Sequence, residues 1–293
     1  MQKLEMLQRK IKNAEEVHSI VRTMKVMAAV EINQFEQSVE SIGEYFKTLE
    51  MGLQVVLKKS FNEVVTFLAA DKHAATGIII LGSGQSLCGP FDETILSYVL
   101  EENDKELLND ARIFVLGERL SGYLGLKKLD ADRVFQMPGS VSGINKMVLE
   151  LLSAIEKWQF EDDIRTVKLY HHRPVSRKMY KTVTHNLLPL NKSWLERLMK
   201  KKWPTNHIPS YTIDSNTLFM SLLRQYLFVS LYRAVAESLT AEYSSRLTAM
   251  QRAEVKIDER IDELSREFIH ERQSSITEEL LDIMAGFESA NLN

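Results

Sequence analysis

Hydrophobic residues recur at steps of three or four along the first part of the chain. The series begins Leu4, Leu7, Ile11, Ala14, Val17, Val21, Met24, Ala28, Ile32, Phe35 and continues to Val56. This spacing puts the apolar side chains on one stripe of an α-helix. From Phe35 to Val56 the steps alternate strictly as in a heptad repeat, and a stutter precedes them. The pattern predicts one long amphipathic helix.

The last part of the chain repeats this spacing. Its apolar positions include Tyr243, Leu247, Met250, Ile257, Ile261, Leu264 and Phe268. Neither glycine nor proline occurs between Ser210 and Ala285, so nothing interrupts the helix. Helices of about 75 and about 55 residues would be about 110 and 80 Å long, too long for a compact domain. Each needs a partner for its apolar stripe, and we predict that the two form an antiparallel coiled coil.

The middle of the chain has a different pattern and holds all six prolines, from Pro90 to Pro209. Short apolar runs predict five strands, at Gly77–Leu81, Arg112–Leu116, Arg133–Met137, Ile164–His171 and Met179–Leu188. Helical spacing occurs at Phe91–Glu102 and Ile144–Trp158. Strands that alternate with helices favour a Rossmann-like α/β domain with a mostly parallel sheet. The predicted fold class is therefore α/β plus coiled coil, with segments 1–59, 60–209 and 210–293.

Composition narrows the function classes. The net charge of −3 gives the molecule no electrostatic case for nucleic-acid binding. The single cysteine, Cys88, excludes an internal disulfide and fits a reducing compartment. No apolar run approaches the ~20 residues that span a bilayer, so we expect membrane association only through partners.

The glycine-containing loop at residues 82–89 lies where a phosphate-binding turn would be found in an α/β domain. A dinucleotide fingerprint requires glycine three residues after Gly84, but that residue is Leu87. A Walker loop requires lysine, and none occurs between Lys72 and Lys105. A structural turn is therefore the favoured interpretation.

The histidines do not form a pattern of metal ligands. His171 and His172 alternate across a predicted strand and so point to opposite faces. The other histidines are scattered, and no motif of a catalytic nucleophile is present. We expect no metal, no cofactor and no catalytic residue.

Three stretches resemble the γ subunits of F-type ATP synthases. Ile20–Ala29 is similar to the family's "KIT-x-AMKMVAA" motif, and Leu231–Met250 looks like its "LYRAL-x-ES-x-ASE-x-AARM-x-AM" motif. Arg272–Leu280 is similar to the closing "RQA-x-IT-x-EL" motif, and Leu87–Gly89 matches the "GLCG" loop. These matches follow the family's order from end to end. Departures in the loop and after Ala29 resemble the divergent N-type branch, and leave the coupling ion, H⁺ or Na⁺, open.

The resemblance implies a non-catalytic central-stalk rotor, which couples ion-driven rotation of a membrane ring to ATP synthesis or hydrolysis. The coiled coil would turn inside a ring of α and β subunits, and the central domain would meet the ε subunit and the c-ring. The complex would lie at the cytoplasmic face of the inner (plasma) membrane, with this chain peripheral to the bilayer.

The motif matches also imply contact residues. Arg272, Gln273 and Thr277 align with positions that hydrogen-bond the catch region of the β subunit. Met24 and Lys25 align with the motif near the hinge loops of the β subunit, although core packing competes as an interpretation of Met24. Residues Ile283 to Phe287 are expected to enter an apolar sleeve at the top of the ring.

Two alternatives belong to other classes of protein. One is a structural coiled-coil protein whose α/β domain only spaces the helices. The other is a Rossmann-like enzyme with helical arms, against which the missing phosphate motif argues.

Overall fold

In the computed structural model, described for residues 2–67, 75–176, 179–204 and 209–291, two long helices flank a sheet domain. Helix α1 covers Gln2–Phe67 and helix α7 covers Ser215–Asn291. The elements between them are β1 (Thr76–Leu81), α2 (Phe91–Glu102), α3 (Lys105–Asp110), β2 (Arg112–Leu116), α4 (Glu118–Leu126), β3 (Arg133–Phe135), α5 (Val141–Glu161), β4 (Thr166–Ser176), β5 (Met179–Leu188) and α6 (Lys192–Lys200).

The chain forms two compact units, and the division falls inside both long helices. One unit combines Met1–Ala28 with Leu247–Asn293, and the other comprises Ala29–Arg246. We refer to them as the terminal unit and the central unit. The three segments 1–59, 60–209 and 210–293 remain a prediction from the sequence.

The terminal unit is an antiparallel helix pair. Lys3 Nζ lies 2.6 Å from Glu271 Oε2, and His18 Nε2 lies 3.2 Å from Asp258 Oδ1. Residue numbers rise along α1 as they fall along α7, which is what an antiparallel arrangement requires. Apolar residues from the predicted stripes are buried in this unit: Leu7, Val21, Ala28, Met250 and Leu264.

The same antiparallel pairing occurs within the central unit. The rings of Phe35 and Tyr243 have centroids 5.6 Å apart. Ser38 Oγ and the Tyr232 hydroxyl are 2.7 Å apart in a buried hydrogen bond. The antiparallel pairing predicted from the two apolar stripes is therefore confirmed.

The sheet has the strand order β3-β2-β1-β4-β5. The pairs β2/β3, β1/β2 and β1/β4 are parallel, and β4/β5 is antiparallel. Only residues 177 and 178 separate the last two strands. A parallel crossover needs a dozen or more residues, so a return of this length must be antiparallel. The expectation of a mostly parallel sheet is confirmed.

Side chains of the central strands alternate between two helical layers. Ile78 and Ile80 of β1 face the cluster that contains residues of α2 and α4. Ile79 and Leu81 face the larger cluster, which contains residues of α1, α5 and α7. A strand with an apolar core on both sides reads as a continuous run of aliphatic residues, as β1 does.

The structure differs from the sequence prediction in three short helices and in strand ends. The helices α3, α4 and α6 were not predicted, because six to nine residues give too few turns for a periodic signal. Strand β3 ends at Phe135, before the predicted Met137. Strand β4 continues past His171 and through Pro174 to Ser176. Proline is tolerated there because β4 pairs with β1 only as far as Tyr170.

Candidate partner-contact surfaces

The three residues predicted near the end of α7 lie on its surface. Arg272, Gln273 and Thr277 are all exposed. The Thr277 hydroxyl donates a hydrogen bond to the backbone carbonyl of Gln273 at 2.9 Å, within the same helix. Neither the Arg272 guanidinium nor the Gln273 amide has a side-chain partner in the described part of the chain. These groups can therefore bind another molecule without first breaking a contact in this one.

Apolar side chains are exposed beside these polar residues. Ile269, Ile276, Leu280 and Ile283 are spaced by seven, four and three residues, so they share one face of α7. Their exposed fractions are 55, 48, 56 and 58%. We call these four residues the C-terminal apolar stripe. A row of aliphatic side chains on a solvent-exposed surface is typical of a protein–protein contact.

The second predicted group lies on α1. Met24 is half-buried and is flanked on its helical face by the buried Val21 and Ala28. Core packing thus accounts for much of the Met24 side chain. Lys25 Nζ forms an ion pair with the Glu254 carboxylate of α7. The ammonium group of Lys25 has a partner within the chain, which sequence reasoning did not anticipate.

The two predicted groups form two separate surfaces. Glu254, the partner of Lys25, precedes Arg272 by 18 residues on α7. That spacing corresponds to about 27 Å along a helix. One partner element of ordinary length would not contact both surfaces.

The loop at residues 82–89 is a structural turn that α7 holds in place. The backbone N–H groups of Gly84 and Gln85 donate to the Glu242 carboxylate at 3.0 and 3.3 Å. Arg246 pairs with the same carboxylate at 2.5 Å and donates to the Gln85 carbonyl at 3.3 Å. A phosphate-binding turn would offer such amides to its ligand, but here a carboxylate of the chain accepts from them.

His171 and His172 occupy separate environments, as their alternation predicted. His171 Nε2 lies 3.0 Å from Glu237 Oε2. His172 Nε2 donates a hydrogen bond to the Phe91 carbonyl oxygen at 3.0 Å. The Nδ1 atom of the same ring lies 3.0 Å from the Thr182 hydroxyl. Burial lowers the pKa of the His172 imidazole to about 4, although the hydrogen bond to Phe91 acts in the opposite direction. The His172 ring therefore stays neutral at physiological pH, and burial lowers the pKa of the His171 imidazole as well.

A cluster around Glu237 was missed from the sequence. This carboxylate is 5% exposed and binds His171, Arg173 and Arg233. Burial raises the pKa of the Glu237 carboxyl, but the hydrogen bonds from His171 and Arg173 outweigh it and bring the pKa down to about 2. The sequence signal was a glutamate on the apolar face of α7, which requires a cationic partner somewhere in the fold.

Two findings bear on metals and membranes. Within residues 2–67, 75–176, 179–204 and 209–291, no group of three or more His, Cys, Asp or Glu side chains could hold a metal ion. None of the helices in that part of the chain is both long and apolar enough to cross a membrane.

Comparison with known proteins decides the family. A family model described as ATP synthase matches residues 3–290. The ATP synthase gamma chain of Pasteurella multocida is 25% identical over 282 residues, which cover 94% of this chain and 96% of that one. The chain belongs to the ATP synthase gamma family. Another member, the gamma chain of Mycoplasma mobile, is 27% identical over 303 residues and 99% of both chains.

Solved structures of the family share the fold. A chain of the Euglena gracilis mitochondrial ATP synthase, from the OSCP/F1/c-ring structure, matches with a TM-score of 0.66 at 14% identity. The match covers 98% of this chain and 94% of that chain. As a gamma-family member, this chain is a non-catalytic, central-stalk rotor subunit of a membrane-associated ATP synthase, and not a free-standing spacer protein.

Proposed function

We propose that this chain turns inside a ring of α and β subunits and couples ion flow through the c-ring to ATP synthesis or hydrolysis. The observation that supports this most is the family match over residues 3–290, since it includes both long helices and the sheet domain. Within the complex, the α/β interfaces would contain the catalytic groups and this chain would supply none. The transported ion is H⁺ or Na⁺.

The mechanism follows from differential contact. When a ring subunit has two conformations, a rotor surface that binds one of them more tightly shifts the subunit toward that conformation. A rotor whose sides differ chemically can bias each ring subunit in turn as it rotates. The C-terminal apolar stripe occupies one side of α7, whereas Glu271 on another side pairs with Lys3. Such a helix presents unlike faces at successive rotor angles.

Two surfaces are proposed to contact the β subunits. Arg272, Gln273 and Thr277 would hydrogen-bond the catch region, which their exposure permits. Met24 and Lys25 would lie near the hinge loops, with Lys25 shared between Glu254 and the ring. Residues from Ile283 onward would enter the apolar sleeve, consistent with exposed Ile283 and Met284. Gly286 and Phe287, which belong to the same prediction, lie outside the residues with described side chains.

The sheet domain would contact the ε subunit and the c-ring. The complex would then lie at the cytoplasmic face of the inner (plasma) membrane, with this chain held to the bilayer only through its partners. No nucleic acid is involved in this proposal, since the chain has a net charge of −3.

Co-expression of the chain with the α and β subunits of its own organism tests the proposal. We expect one copy of the chain for each hexameric ring of α and β subunits. ATP hydrolysis by the purified complex should rise when the chain is present. Assembly of α and β without it, and unchanged hydrolysis on its addition, would contradict the proposal.

A further inference from the structure

A small pocket in the central unit is lined by more basic than acidic side chains. It has a volume of about 80 Å³ and opens between β4, β5, α1 and α7. Its polar lining consists of Arg173, Arg233, Glu237, His171 and His185. We call it the arginine pocket. Its volume is several times what a single water molecule needs.

The charges of the arginine pocket do not cancel. Arg173 Nε and Arg233 Nε each lie 2.8 Å from the Glu237 carboxylate, so two guanidinium groups share one carboxylate. Among the described residues that line the pocket, Glu237 is the one acid. Burial lowers the pKa of both His171 and His185 and so disfavours their charged forms, which leaves one arginine charge without a counter-ion among these residues. The pocket thus attracts an anion and repels a metal cation.

Unused hydrogen-bond donors point to the same ligand. Both arginines bind Glu237 through Nε, which leaves the four N–H donors on the terminal nitrogens of each. In the described part of the chain these terminal nitrogens make no hydrogen bond. Arg173 and Arg233 are 42 and 48% exposed, so solutes can reach them.

Glu237 and His171 hold this arrangement in place. The buried carboxylate fixes two guanidinium groups at once and also binds His171 Nε2 at 3.0 Å. His171 is 2% exposed, and its Nδ1 has no hydrogen-bond partner among the described residues. Because the Nε2–H group of His171 donates to Glu237, Nδ1 of the neutral ring is an acceptor, and the donors that face an anion are those of the two arginines.

Arginine pairs bind oxygen anions because the planar guanidinium matches the oxygens of a phosphate or carboxylate group. From the two fixed guanidinium groups, the net positive charge and the pocket size, we propose that the arginine pocket binds a phosphate group. The volume accommodates one such group. The group would be free inorganic phosphate or the terminal phosphate of a nucleotide that extends outside the pocket.

Isothermal titration calorimetry on the full chain tests the proposal. Inorganic phosphate at constant low ionic strength should bind saturably. Arg173→Gln and Arg233→Gln should each weaken the affinity roughly tenfold, since each removes charge-assisted hydrogen bonds. Arg224→Gln is the matched control, because Arg224 also lies on α7 but pairs with Glu156 outside the pocket. Its affinity for phosphate should equal that of the original chain.

Titration with ATP separates the two sources of the phosphate group. Binding of inorganic phosphate shows that the free ion suffices. Binding of ATP alone, if both arginine substitutions weaken it, assigns the group to a nucleotide. Absence of saturable heat with either probe, or affinities that Arg173→Gln and Arg233→Gln leave unchanged, would overturn the proposal.

A second measurement avoids any folding defect of the variants. The ring resonances of His171 and His185 in the unsubstituted chain should shift saturably as phosphate is added. Those of His270, an exposed residue of the terminal unit, should not. Equal shifts at all three histidines would indicate a general salt effect and would refute the site.

Discussion

The side-chain groups of Arg272 and Gln273 are exposed and have no side-chain partner in the described chain. Arg260, by comparison, lies 2.8 Å from Glu263, and Arg246 is buried against Glu242. A guanidinium without an internal partner keeps its full donor capacity for another molecule. Replacement of such residues should remove a contact with another molecule and leave the fold of the chain intact.

We predict that Arg272→Ala combined with Gln273→Ala lowers ATP hydrolysis by the assembled complex roughly tenfold or more. The reason is the loss of charge-assisted hydrogen bonds, each worth about 1.5–3 kcal/mol. The measurement is the turnover rate of a complex with normal stoichiometry, with circular dichroism as a check on the helices.

The matched control replaces Gln251 and Arg260 with alanine. Both residues are exposed on the same helix and neither belongs to a proposed contact. Turnover of this control should equal that of the original complex. Equal turnover of the two double variants would remove Arg272 and Gln273 from the proposed β-subunit contact.

His172 gives the central unit a pH-dependent stability. An imidazole in an unfolded chain has a pKa near 6.5, while in this fold the value is about 4. Between these values the unfolded state binds the proton and the folded state does not. The stabilising contribution is therefore complete above about pH 6.5 and is lost as the pH falls toward 4.

Replacement of His172 by glutamine should flatten this dependence. The amide can still hydrogen-bond, but it does not titrate. Between about pH 7 and pH 5 we expect the free energy of unfolding of the original chain to fall by roughly 2 kcal/mol more than that of the His172→Gln variant. Urea unfolding at the two pH values measures the difference. Parallel losses in the two proteins would contradict the assignment to His172.

At the scale of elements, the two helices of the terminal unit are held by an apolar stripe and by ion pairs across it. Lys25 and Glu254 form the least exposed of these pairs, with side chains 29 and 20% exposed. Partial burial makes the pair worth more than a fully solvated one. The same lysine is proposed to touch the β subunit, so its two roles must be separated.

A charge exchange separates them. Lys25→Glu alone places two carboxylates together and should destabilise the terminal unit by about 1 kcal/mol. Lys25→Glu with Glu254→Lys restores the pair and should restore stability, as a double-mutant cycle would show. ATP hydrolysis should stay low in the exchanged complex if Lys25 also touches the ring. Full recovery of hydrolysis would restrict Lys25 to the helix pair.

Short elements and loops depended on tertiary contacts that local sequence does not reveal. The loop at residues 82–89 lies beside Glu242 and Arg246, which follow it by more than 150 residues. A glutamate and an arginine four residues apart on a helix are typical of an exposed ion pair. Only the packing of α7 against the sheet domain shows that both are 2% exposed and hold the loop.

At the scale of the whole molecule, a rotor must transmit torque along its long helices. Helix α7 is continuous from Ser215 to Asn291, and no glycine or proline occurs between residues 210 and 285. A continuous backbone hydrogen-bond ladder resists local bending. We therefore expect coupling to depend on the continuity of α7.

Glu259→Pro tests this dependence. Proline in a helix interior costs about 3 kcal/mol and breaks or kinks the helix. Glu259 is exposed, so Glu259→Ala is a control that leaves the helix intact. In reconstituted vesicles, the number of ions pumped per ATP hydrolysed should fall for the proline variant and stay unchanged for the alanine variant. Equal coupling in the two complexes would show that torque does not require an unbroken α7.

Local sequence determined the type of the long helices and of the strands. The apolar spacing of three and four, without glycine or proline, is a property of neighbouring residues, and it predicted both long helices and their antiparallel pairing. The aliphatic runs of β1 and β2 similarly predicted buried strands of a parallel sheet. The ordered motifs from Ile20 to Leu280 identified the family, because each is a short stretch whose letters can be read directly.

Tertiary structure decided which charges distant in the sequence meet. Glu237 is 64 residues from Arg173 and 66 from His171, and Lys25 is 229 from Glu254. No periodic pattern specifies such pairs, because they depend on how α7 packs against the sheet and against α1. The sequence therefore determined the two long helices, the strands and the family, while packing determined the arginine pocket, the anchored loop and the partner of Lys25.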